Sequence, residues 1–80
     1  MATSLSTPQF AICIENTQYP ASLEVHKVYR VLRDDGARRD GDLRVIDESG
    51  EEYLFPAEMF LLVEFPQSIQ RTLQKSFARA

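Results

Sequence analysis

The spacing of apolar residues changes along the chain, and the changes mark its elements. From Phe10 the pattern alternates, with Phe10, Ile12 and Ile14 on one side and Ala11, Cys13 and Glu15 on the other. A period of two is that of a half-buried strand, expected over residues 10–15. Asn16, Thr17, Gln18, Tyr19 and Pro20 then form a loop in which Pro20 holds Tyr19 extended, and Tyr19 is placed to cover one open end of the core. The β-branched and aromatic run Val28, Tyr29, Val31 and Leu32 predicts a second strand over residues 27–33, apolar on both faces and therefore central. Residues 34–42 carry four aspartates, two glycines and two arginines, and read as a solvated, mobile loop.

Two β-rich runs follow, residues 43–47 and 52–55, flanking the polar turn Glu48-Ser49-Gly50-Glu51. Only the glycine of that turn takes positive φ without steric cost, so the segment is a hairpin. Pro56 cannot donate to a ladder and ends the second strand, while Met59 and Phe60 still require burial and call for a tight turn. One more short strand is expected over residues 61–65, stopped by Pro66. Beyond it the period lengthens: Ile69, Leu73 and Phe77 recur every fourth residue, with Arg71, Lys75 and Arg79 on an adjacent face. That is an amphipathic helix, with Ser68 the expected N-cap.

Closely spaced strands with no intervening helix favour a mainly β fold, a small antiparallel β-barrel of about five strands carrying a C-terminal α-helix. The expected organisation is a flexible tail over residues 1–9, the barrel over 10–65 and the helix over 66–80. At 80 residues the chain holds one core, burying roughly 60–65% of its unfolded surface. Apolar content of 44% and charged content of 26% are ordinary globular values. The first residues hold no basic group and no long apolar run, so no signal peptide is read there, and the lone Cys13 fits a reducing compartment; a cytoplasmic protein is expected.

Candidate chemistry is sparse. Asp47, Glu48, Glu51 and Glu52 crowd the hairpin and supply the oxygens a calcium or magnesium ion takes, yet their spacing lacks the ligand alternation of a calcium loop. They read as a solvated turn or as a surface for a cationic partner. His26 is the only histidine, which excludes a histidine pair for zinc. Cys13 lies mid-strand between isoleucines, as a small packed hydrophobe does, and no third group orients a Cys13–His26 pair. The glycines are scattered, with no phosphate loop. Neither an enzyme, a metal nor a cofactor is expected. The net charge of −3 disfavours non-specific nucleic-acid binding. Arg30, Arg33, Arg38, Arg39 and Arg44 are largely cancelled by Asp34, Asp35, Asp40 and Asp42, whereas Arg71, Lys75 and Arg79 form a basic helical stripe.

The polar hairpin turn, the segment Phe55-Pro56-Ala57-Glu58-Met59-Phe60 and the strand after it resemble the distal hairpin, helical turn and final strand of an SH3-like barrel. Pro56 matches the proline of the groove by which peptide-binding members hold polyproline. Met59 stands where those members carry tyrosine, there is no tryptophan, and Asn16-Thr17-Gln18-Tyr19 is not their aromatic loop, so polyproline binding is not expected. The words Ile12-Cys13-Ile14-Glu15-Asn16, Tyr19-Pro20-Ala21-Ser22-Leu23-Glu24, Lys27-Val28-Tyr29 and Val45-Ile46-Asp47-Glu48-Ser49-Gly50-Glu51-Glu52-Tyr53-Leu54-Phe55-Pro56 resemble a family of small uncharacterised bacterial proteins. That resemblance implies a fold and no catalytic residue. The expectation is a non-catalytic protein-interaction or regulatory module, its partner another protein or a second copy, engaged through Asp47, Glu48, Glu51 and Glu52 or through Ile69, Arg71, Leu73, Lys75 and Phe77. A nucleic-acid-binding barrel using the basic helix face is the alternative.

Overall fold

The computed structural model describes residues 9–79. Five strands and two helices follow in order: β1 (Gln9–Cys13), β2 (Val28–Leu32), α1 (Asp35–Arg39), β3 (Asp42–Ile46), β4 (Glu52–Pro56), a 3-10 turn (Ala57–Met59), β5 (Phe60–Val63) and α2 (Gln67–Arg79). All strands belong to one antiparallel sheet, ordered β4-β3-β2-β1-β5. β1 to β4 form a meander, and β5 returns across the sheet to pair with β1. The expected tail lies outside the described residues except for Gln9, which is the first residue of β1.

Residues opposite one another in an antiparallel ladder share a face. Ala11 stands across from Tyr29 and Leu62, Cys13 across from Phe60, Val31 across from Val45, and Leu43 across from Phe55. All but Leu62 are buried, and with Leu23 and Met59 they build the core. β4 and β5 are the outermost strands of the order, and a flat sheet would hold them about 19 Å apart, four steps of about 4.8 Å. The rings of Phe55 and Phe60 nevertheless meet at 6.2 Å. The sheet is therefore strongly curved, and the turn at Ala57–Met59 sets its curvature. Tyr19 packs against the core, edge-on to Phe55 at 5.1 Å. No ladder among the described residues joins β4 to β5, so closure into a barrel is not part of the observed sheet.

The outer face carries Phe10, Ile12, Val28, Arg30, Leu32, Arg44 and Ile46. The alternation of β1 predicts one buried side, but Phe10 and Ala11 are both fully buried and Ile14 is exposed. The reason is α2, which crosses the outer face. Phe10 stacks on Phe77 at 6.1 Å and meets Phe65 edge-on at 5.9 Å. The guanidinium of Arg30 lies over the same Phe77 ring at 5.1 Å, an arrangement favourable to a cation withdrawn from water. The helix starts at Gln67, so Ser68 sits inside the first turn rather than capping it, and the Pro66 carbonyl accepts the Gln70 N–H. Its inward stripe is Gln70, Leu73 and Phe77, rotated from the expected one, and it leaves Ile69 at 46% exposure.

Residues 34–42 are not the loop their polarity suggested. Asp34 caps α1 by accepting the Ala37 N–H at 3.0 Å, Ala37 is buried, and Arg38 and Arg39 fall in the last turn, where cations suit the helix dipole. Gly41, at φ 84°, follows the Asp40 cap and ends the helix in the left-handed region.

His26 also adopts φ 71°. Lys27 N–H donates to the Glu24 carbonyl, His26 N–H donates to the Cys13 carbonyl at 2.7 Å, and Cys13 N–H donates to the Lys27 carbonyl at 3.0 Å. His26 and Lys27 thus both oppose Cys13, a bulge whose first position normally takes glycine. Replacing His26 by Gly relieves the left-handed penalty at some backbone entropy, and the expected result is a gain of about 0.5–1 kcal/mol in unfolding free energy, read from urea midpoints. Phe77→Ala is expected to cost about 1–2 kcal/mol and to free α2, seen as faster amide exchange confined to the helix while the core strands stay protected.

Candidate functional site

The four hairpin carboxylates are each taken up separately. Asp47 is buried, and its Oδ1 accepts the Ser49 N–H at 2.8 Å and the Ser49 hydroxyl at 2.5 Å. With Gly50 at φ 85° donating its N–H to the Asp47 carbonyl, this side chain organises the turn itself. Glu48 pairs with Lys27, Nζ to Oε2 at 2.7 Å, and accepts the Tyr29 hydroxyl at 2.5 Å. Glu51 accepts the Tyr53 hydroxyl at 2.9 Å, and Glu52 meets Arg44 at 3.3 Å. Local bonding therefore points the carboxylates at different neighbours rather than at a common centre.

The Glu48 cluster joins three segments. The Tyr29 hydroxyl also accepts the Glu24 N–H at 2.7 Å, and the Glu48 N–H donates to the Ser22 carbonyl at 3.0 Å. The long β1–β2 connection is thereby fastened to the hairpin tip. Lys27 and the Tyr29 hydroxyl, both donating, hold the Glu48 carboxyl below its usual range. Burial, and then the carboxylate it faces, push the Tyr29 phenol up, so it remains a donor throughout the ordinary pH range. A second cluster is centred on Arg44, the middle residue of β3, which grips Asp34 at 2.7 Å and bridges it to Glu52. The Ala37 N–H and then Arg44 hold Asp34 below its usual range.

Cys13 is buried, its thiol donates to the Glu15 carbonyl at 3.3 Å, and burial pushes its pKa up, the reverse of what a nucleophile requires. His26 is exposed and engages Cys13 only through the backbone.

On α2, Leu73 and Phe77 are half-buried against the sheet, so they are fold contacts first, while Ile69, Arg71 and Lys75 are exposed. Arg71 and Lys75 have no carboxylate partner among the described residues. The side chain of Arg79 lies outside the described residues. The structure adds surface that the sequence did not single out. Leu61 and Leu62 on β5 are 56% and 48% exposed, and Tyr53 and Leu54 on β4 are similarly open. An apolar run read along the chain looks like strand interior, and only the strand order reveals that β4 and β5 are edges.

Comparison with known proteins returns no match: no family model, no curated sequence and no solved structure is similar to the chain. No helix among the described residues is long and apolar enough to cross a membrane.

A carboxylate held low in the fold stabilises above its ordinary pKa of about 4.3, and that stabilisation is lost as pH falls through the depressed folded value. Glu48 and Asp34 act with this same sign. Glu48→Gln is therefore expected to flatten the acid limb of the stability profile, measured as urea midpoints between about pH 2 and pH 7.

Proposed function

We propose that this chain is a non-catalytic protein-interaction module of SH3-like barrel layout, acting in the cytoplasm. The observation that carries the reading is the pair Leu61 and Leu62, adjacent on an outermost strand and both about half exposed. Exposed leucines on an unpaired strand edge are a surface that natural proteins either guard or use. The barrel layout is supported by the polar hairpin turn, the 3-10 turn after Pro56 and the return of β5 to β1. The buried, reduced Cys13 supports the compartment. The hairpin acids contribute fold bonds before partner contacts, so binding centres on the apolar edge rather than on the hairpin as the charge pattern first suggested.

Arg71 and Lys75, exposed and without a carboxylate partner among the described residues, favour a second reading in which α2 meets the phosphate backbone of a nucleic acid. Affinity capture separates the two. A stoichiometric protein recovered on the wild-type chain and lost on Leu61→Asp/Leu62→Asp is the expected outcome. Recovery of nucleic acid that elutes with salt and is lost on Arg71→Glu/Lys75→Glu, with no effect of the leucine substitutions, overturns the first reading in favour of the second.

A further inference from the structure

The two edges of the sheet are not alike. β4 carries Glu52 in an ion pair with Arg44 and ends in Pro56, which has no N–H to offer. Charge and proline are the means by which an edge is kept from pairing. β5 reads Phe60-Leu61-Leu62-Val63, with neither.

Its free backbone groups can be named. Ile14 N–H donates to the Met59 carbonyl at 2.8 Å. Bonded pairs alternate along an antiparallel ladder, and the register pairs Ile12 with Leu61 and Phe10 with Val63. Leu61 and Val63 therefore turn their backbone groups toward β1, whereas Phe60, Leu62 and Glu64 turn theirs outward. The Phe60 N–H is already given to the Ala57 carbonyl in the 3-10 turn. What remains along the edge is the Phe60 carbonyl, both groups of Leu62 and the Glu64 N–H.

We infer that this edge pairs with the same edge of a second copy, β5 against β5 in antiparallel fashion, with Leu62 on the two-fold axis. The inference rests on the interaction-module reading and names its partner. In this register each Leu62 N–H meets the other copy's Leu62 carbonyl, and each Glu64 N–H meets the other copy's Phe60 carbonyl. The pattern uses the groups left free and does not call on the Phe60 N–H. It also sets Glu64 opposite Phe60 rather than opposite its own copy. Leu62 shares the core side of the sheet with Ala11 while Leu61 lies on the outer side with Ile12, so only a strand apolar on both faces covers both leucines, and β5 is such a strand. Isologous pairing of one edge closes at two subunits, whereas β4 against β5 would continue from copy to copy.

The test uses the purified full chain, with mass measured by light scattering across a concentration series and with oxidative cross-linking of single-cysteine additions. The expected result is a concentration-dependent species of twice the 9.2 kDa chain mass. Leu62→Cys should form a symmetric intermolecular disulfide, because paired Cα atoms about 5.5 Å apart suit that bond, while Leu54→Cys on the other edge should not. Leu62→Glu places like charges across the axis and should weaken the dimer by about tenfold or more, with Ile69→Glu on α2 leaving it unchanged. Far-ultraviolet dichroism confirms that each variant is folded. A chain that stays monomeric and uncross-linked at every concentration, or one in which Leu54→Cys cross-links instead, overturns the inference. If capture then still yields a foreign protein lost on Leu61→Asp/Leu62→Asp, the module reading stands and only its partner is wrong. If capture fails as well, both fall.

Discussion

A sheet whose two outermost strands are consecutive in sequence has to bend back on itself, and the contact between Phe55 and Phe60 is what that bend holds together. Pro56 leaves the outward edge of β4 without an N–H, the turn at Ala57–Met59 reverses the chain within one 3-10 turn, and the aromatic pair closes over the core. Met59 and Tyr29 are buried because this bend brings them inside, and Tyr19 has a ring to stand on. The Ala57 N–H bonded to the Gly41 carbonyl at 2.8 Å anchors the bend to the start of β3. Curvature is thus specified locally, by a proline and two aromatics, and inherited by every strand between them.

The polar residues mostly serve that architecture. Asp47 builds the hairpin turn, Glu48 and Tyr29 tie the β1–β2 connection to it, and the Arg44 bridge from Asp34 to Glu52 links the cap of α1 to β4. Most of these pairs are partly solvated, so each contributes little alone. Their value is positional, since they constrain segments that the apolar core does not reach. The outer face is handled differently. There Phe77 of α2 covers Phe10, Phe65 just ahead of the helix meets the same ring edge-on, and Arg30 accompanies them as a cation over the Phe77 ring rather than as half of an ion pair.

What the chain leaves open at its surface is set by what remains after this internal bonding. The hairpin acids are engaged, the Cys13 thiol is buried and its pKa raised, and His26 is occupied with a strained backbone at the Cys13 bulge. The exposed leucines of β5 and the cations Arg71 and Lys75 of α2 are among the groups left without a partner in the described residues. These two surfaces have different chemistries, one apolar with free backbone groups and one electrostatic.

Although β4 takes in Pro56 rather than stopping before it, the sequence by itself determined the strands, the hairpin with its glycine and the final helix. Each of these follows from a period or from a residue with restricted φ, properties that neighbours in the chain decide among themselves. Helix α1 was legible too, in Asp34 before it, Arg38 and Arg39 at its end and Gly41 beyond, but it is five residues long with one buried side chain, so polarity outweighed its caps. Three features belonged to tertiary structure alone. The rotation of α2 that buries Gln70 and exposes Ile69 depends on where Phe10 and Arg30 stand in the sheet. The double burial of β1 depends on that helix arriving. The openness of Leu61 and Leu62 depends on strand order, because an apolar residue is covered or free according to which strand lies beside it, and adjacency in a sheet is not written in adjacency along the chain.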